Sequence, residues 1–116
     1  MQQSILTSTK KVLGLDENYT AFDLDVITAI NSAFSVLNQL GAGPSIGFMI
    51  EDKSATWEDY SSDITLIGMV KTYIGLKAKF VFDPPQTSFV IDAMKQQIEQ
   101  LEWRINVYVE NVGVQS

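Results

Sequence analysis

The stretch from Ile64 to Phe82 is apolar on nearly every side, and this constrains the fold more than any other feature. Ile67, Val70, Ile74 and Val81 follow one helical face; Met69, Tyr73, Leu76 and Phe80 follow another. A helix of that kind is central or sandwiched. It is long enough to suggest a membrane span, which needs ~20 predominantly apolar residues. Lys71, Lys77 and Lys79 lie inside it, however, and charges at depth are costly. The stretch therefore reads as the core helix of a soluble protein made in the cytoplasm. Gly68 and Gly75 share a face, and each costs about 1 kcal/mol relative to Ala. The spacing predicts close approach of another helix there. Asp83-Pro84-Pro85 stops the helix.

Three more helices are expected around it. Residues 3–13 place Ile5, Leu6, Val12 and Leu13 on one face, with Lys10 and Lys11 in a last turn where cations suit the dipole. Gly14 is a natural C′ residue. Residues 20–40 open on Thr20 as N-cap, with Asp23 three positions on, a near-match to the capping box. Ile27, Ile30, Phe34 and Leu37 recur at helical spacing, with Asn31 and Asn38 at the edge of the stripe, and Gly41-Ala42-Gly43-Pro44 ends the run. In residues 86–109, Ile91, Met94, Ile98, Leu101, Ile105 and Tyr108 form a heptad seam. That seam can pack within the chain, the default, or against another subunit. Trp103 and Val107 lie off the seam and could meet a second neighbour; Trp103 is expected in the core.

Residues 41–63 form an irregular loop. Phe48-Met49-Ile50 can make a brief strand. Thr56 can cap one helical turn holding Trp57 and Tyr60. The aromatics beside Glu51, Asp52, Glu58, Asp59 and Asp63 suggest either a contact surface or a lid folded back over the helices. In the tail, 110–116, Val112 and Val114 alternate with polar or small residues, so it could add as a strand to a partner or fray. The expected fold is mainly all-α: one four-helix-bundle-like domain over 1–109, an irregular loop with a short strand, and an extended C-terminal tail.

Composition narrows the function. The chain has 116 residues, which fits one domain. Eight Lys+Arg against 14 Asp+Glu give a net charge of −6. That balance argues against binding nucleic acid by neutralising phosphates. It suits a channel wall past which a polyanion slides without being trapped. There is no Cys and no His, so thiolate chemistry and the commonest general base and metal ligand are missing. No catalytic motif is present, and the adjacent acids Glu51-Asp52 and Glu58-Asp59 do not converge unaided on a metal. No enzyme activity, cofactor or metal is expected. The N-terminus lacks the charge-then-apolar order of a secretory signal. Charged residues are only 19% of the chain, below the ~25% typical of soluble domains. Burial against neighbouring subunits would explain that, as would ordinary scatter.

Five stretches stand out by order and spacing: Asn38-Gln39-Leu40-Gly41-Ala42-Gly43-Pro44, Trp57-Glu58-Asp59-Tyr60, Val70-Lys71-Thr72-Tyr73-Ile74, Phe82-Asp83-Pro84-Pro85 and Leu101-Glu102-Trp103-Arg104-Ile105-Asn106-Val107. Together they resemble a family of tailed-bacteriophage and prophage head–tail connector, or adaptor, proteins, some of which are labelled DNA-packaging proteins. The likeness spans residues 4 to 108. It implies a small helical subunit of a ring, commonly dodecameric, at the head–tail junction of the virion. Such a ring lies between the portal protein and a downstream neck or tail protein. It lengthens a channel through which DNA passes without specific binding, and no membrane is involved. Loops and termini reach toward the neighbouring rings. On that reading the contact residues are Phe48, Met49, Ile50 and Trp57 in the loop and Val112 and Val114 in the tail. The alternatives are a more strand-rich tail-completion or stopper protein of the neck, and a small regulatory module that binds a host protein.

Overall fold

A computed structural model describes the backbone of residues 3–115 and side chains as far as residue 112. The described residues fold into five helices: α1 (Ile5–Val12), α2 (Asp23–Gln39), α3 (Trp57–Tyr60), α4 (Ile64–Phe82) and α5 (Ser88–Gln115). The helix apolar on all sides is indeed the central one, because α4 packs against α1, α2 and α5. Val70, Tyr73, Ile74 and Ala78 are all buried. The heptad seam of α5 turns onto α4: Ile98 and Ile105 are buried, and Met94, Leu101 and Tyr108 pack beside them. α5 runs back along α4, since Tyr73 donates to Glu102 Oε2 at 2.7 Å and Tyr108 donates to Asp63 Oδ2 at 2.7 Å.

The helix ends follow local chemistry. α1 and α2 both stop in Schellman turns. Leu15 N–H donates to Lys10 O and Gly14 N–H to Lys11 O; Ala42 N–H donates to Leu37 O and Gly41 N–H to Asn38 O. Gly14 and Gly41 supply the positive φ these turns require, at 77° and 88°. Asn106 of α5 donates to Leu40 O at 3.1 Å, covering one more carbonyl at the end of α2.

The start of α2 differs from expectation. Thr20 is not its cap: α2 begins at Asp23, with Phe22 at the N-cap position and no side-chain cap. Thr20 contributes its carbonyl to a turn instead, accepting from Asp23 N–H at 3.2 Å. The Asp23 carboxylate is used elsewhere, 2.8 Å from the ammonium of Lys10. Lys10 lies in the last turn of α1, as expected, and is held there by the protein rather than by water. It is only 2% exposed and also donates to Glu17 O at 3.0 Å. A buried charge needs such partners, and these tie α1 to the start of α2.

Residues 48–50 form no strand. Their role in pairing is taken by one side chain: Asn31 donates to Ile50 O at 3.0 Å and accepts from Ile50 N–H at 2.8 Å. The one-turn helix at Trp57 forms as expected, with a full capping box between Thr56 and Asp59. It folds back over the bundle. Trp57 Nε1 donates to Ser8 Oγ at 2.9 Å, and Ser4 and Thr56 form an antiparallel bridge pair. The C-terminal segment is also a correction: it is helical to Gln115, not extended. Val112 continues the spacing of Ile105 and Tyr108, and a single glycine at 113 costs only about 1 kcal/mol in a helix already propagating.

Candidate interaction surfaces

Large apolar side chains are exposed at several places, among them the loop after α2, the start of α2 and the outer side of α5. Ile46 is 96% exposed. It sits in the tight turn closed by Gly47 N–H donating to Pro44 O at 2.9 Å, where a side chain points outward. Met49 is exposed beside it, one residue before the Asn31 anchor. A groove of about 640 Å³ runs between this segment and α2, lined by Thr28, Asn31, Ser35, Phe48 and Met49. Leu24, 79% exposed, lies in the first turn of α2, and a second groove of about 500 Å³ runs between α2 and the end of α4. Val81 and Phe82 line that second groove with Thr28, Ala29 and Ser32. On α5, Phe89 is 81% and Trp103 67% exposed, both away from the seam that faces α4.

These positions redistribute the expected contact residues. Met49 and Val112 are exposed. Phe48 is half-buried, edge-on to Phe34 at 5.0 Å and to Tyr60 at 5.3 Å. Ile50 and Trp57 are buried and belong to the subunit's own core. The side chain of Val114 lies outside the described residues. Trp103, expected in the core, is instead on the surface, because the α5 seam meets α4 on the opposite side of the helix. Sequence reading missed Ile46, Leu24 and Phe89. Ile46 could have been found as the lone bulky residue inside a cluster of chain breakers.

The glycine pair divides. A Cβ on Gly75 would lie 3.4 Å from Val12 Cγ1, so α1 does approach closely there; a Cβ on Gly68 would meet nothing within 4 Å. Gly43 is tighter still: φ is +84°, and a Cβ would come within 2.6 Å of the Tyr60 ring.

A family model for the phage connector protein matches residues 5–112. The chain belongs to that family. The match covers the span over which the sequence motifs showed their likeness. Comparison with curated proteins finds no match, and comparison with solved structures finds none either.

The ionisable groups of this connector-family chain serve its architecture. Asp63 caps α4, accepting from Thr65 N–H at 3.0 Å and Leu66 N–H at 3.2 Å. The hydrogen bond from Tyr108, and then those backbone donors, hold its carboxyl below the usual carboxylate range. The same bond to Asp63 raises Tyr108. Burial first, then Glu102, raises Tyr73. Burial alone pushes Tyr60 up to about 12. Among the described residues no three carboxylates gather to hold a metal ion, and no helix is long and apolar enough to cross a membrane. Of the acid pairs, Asp59 is taken up in the α3 capping box, while Glu51, Asp52 and Glu58 are exposed. What the surface offers is grooves and exposed apolar side chains on a helical body.

Proposed function

We propose that this chain is a non-enzymatic head–tail connector, or adaptor, of a tailed bacteriophage. In this reading, copies close into a ring, a dodecamer, between the portal protein and the next neck protein. The ring lengthens the DNA channel. The observation that carries the proposal is membership of the phage connector family over residues 5–112.

Three features of the subunit support it. The body has extents of 42 × 36 × 23 Å and is built on one central helix against which α1, α2 and α5 all pack. Exposed apolar residues occur on both flanks, on α2 and on α5, as a head-to-tail contact requires. The net charge of −6 suits a wall past which DNA slides without being held.

The test is negative-stain electron microscopy of the purified chain with the portal of its phage. The expected result is a ring of added density with twelve-fold symmetry at the portal's tail-side face. A portal vertex left bare at saturating protein refutes the proposal.

A further inference from the structure

Tyr60 carries a hydroxyl that the folded subunit does not use. The residue is 4% exposed, and its hydroxyl oxygen is cut off from water without a hydrogen-bond partner. Its ring centre lies 5.0 Å from that of Phe34 and 5.3 Å from that of Phe48. A phenylalanine would make the same ring contacts without stranding a polar group. What shuts the hydroxyl in is main chain. A Cβ on Gly43 would lie 2.6 Å from Tyr60 Cε1 and 2.9 Å from the hydroxyl oxygen, so the backbone there passes directly over the phenol.

That backbone belongs to a strap, residues 43–49, fixed at both ends and lightly held between them. One end is the Schellman turn that closes α2, where Ala42 N–H donates to Leu37 O at 2.9 Å. The other is the pair of hydrogen bonds between Asn31 and Ile50. Among the described residues, the one hydrogen bond between these ends is internal to the strap, from Gly47 N–H to Pro44 O. No strap residue is buried, and only Phe48 packs a large apolar side chain against the core. The groove of about 640 Å³ leaves open space between the strap and Ser32 and Ser35 of α2. Gly43 and Gly47 have φ of 84° and 93°, and glycine turns to other conformations at little steric cost.

We propose that residues 43–49 open and close as a unit over Tyr60, pivoting on the Ala42 turn and the Asn31 clamp while the helices stay folded. Closed, Phe48 covers Phe34 and Tyr60, and the hydroxyl goes without a partner. Open, the hydroxyl bonds to water, which offsets part of the lost Phe48 contact. A segment with few buried contacts and no hydrogen bonds to the body opens at a lower cost than the whole fold. The strap also sets what the subunit shows. Closed, it presents Ile46 and Met49; open, it adds the rings of Phe48, Phe34 and Tyr60 to the same patch. A partner that binds those rings draws the strap open. The inference concerns the single subunit and holds whether or not copies close into a ring.

Chymotrypsin reads the equilibrium, because its apolar slot takes the Phe48 ring only once that ring has left the cluster. The full chain is digested at limiting protease, where the rate follows the population of the open form, and the cut after Phe48 is followed by mass spectrometry. The expected cut responds to urea less steeply than global unfolding measured by circular dichroism, since only the strap exposes new surface. Tyr60→Phe removes the stranded hydroxyl and should slow the cut roughly tenfold. Gly43→Ala places a methyl against the Tyr60 ring in the closed form and should speed it roughly tenfold. Two results overturn the inference. One is a cut whose urea dependence equals that of global unfolding. The other is a cutting rate in Tyr60→Phe equal to that of the parent chain.

Discussion

Asn31→Ala tests how the display loop is held. Asn31 makes two hydrogen bonds to the main chain of Ile50, at 3.0 and 2.8 Å, and Ile50 itself is buried. Each such bond is worth about 1 kcal/mol, and a donor or acceptor stranded without a partner costs about 1–3 kcal/mol. Water can reach the site partly, since Asn31 is half-buried, so the lower part of that range applies. The expected loss is about 2–3 kcal/mol, which for a chain of this size lowers the melting temperature by roughly 8–12 °C. Asn31→Asp separates the two bonds. Its carboxylate still accepts from Ile50 N–H but opposes the Ile50 carbonyl, and it should be at least as destabilising as Ala. Asn38→Ala is the control: the same residue type on the same helix but exposed, with an expected change within about 0.5 kcal/mol. Melting followed by far-ultraviolet circular dichroism gives the stability, and limited proteolysis reports whether residues 45–49 have come loose. If Asn31→Ala behaves like Asn38→Ala in both assays, the amide does not hold the loop and the account of its anchoring is wrong.

The glycines of α4 should respond in opposite senses. Gly75→Leu overpacks the contact with Val12 and is expected to cost about 1–3 kcal/mol, whereas Gly68→Ala enters open space and should gain up to about 1 kcal/mol; equal melting temperatures would contradict the close approach. Tyr60→Phe removes a buried hydroxyl that has no hydrogen-bond partner, so urea unfolding at neutral pH should show no loss of stability. Because Tyr60 is raised from 10.0 to about 12, its contribution is fully present below pH 10.0 and is lost as pH rises from there through about 12. The Phe variant should therefore lose stability less steeply across that window, and an identical alkaline slope would refute the assignment. The depressed Asp63 works in the acid direction: its contribution holds above its ordinary 3.8 and is lost as pH falls through its lower folded value. Asp63→Asn should flatten stability against pH in that acid range. Truncation after Val109 removes residues that are exposed as far as Val112, and the melting temperature should fall by no more than about 4 °C.

What could be read from the sequence was whatever repeats or punctuates. The α4 limits, Ile64 and Phe82, follow from a stretch apolar on nearly every helical face and closed by Asp83-Pro84-Pro85. The α5 seam follows from spacing alone, and α3 from the Thr56 capping box. What escaped depended on partners distant in the chain. Lys10 reads only as a last-turn cation until Asp23 is known to sit beside it. The 48–50 segment reads as a strand because nothing local reveals that Asn31, nineteen residues earlier, satisfies its backbone. The helical end of α5 was legible in the step from Tyr108 to Val112, but the alternation of Val112 and Val114 pointed the other way. For the surfaces, a list of apolar loop residues could not separate Trp57, held by Ser8, from Met49, held by nothing. Trp103 was legible as lying off the α5 seam, but its exposure follows only from α4 covering the seam side of the helix.

Asn31 grips the loop by main-chain atoms of Ile50, and main-chain atoms are common to every amino acid. The grip is therefore indifferent to the identities at 46 and 49, which stand in solvent and bear no weight in the helical body. Natural variation can rewrite those two positions while the subunit beneath keeps its shape.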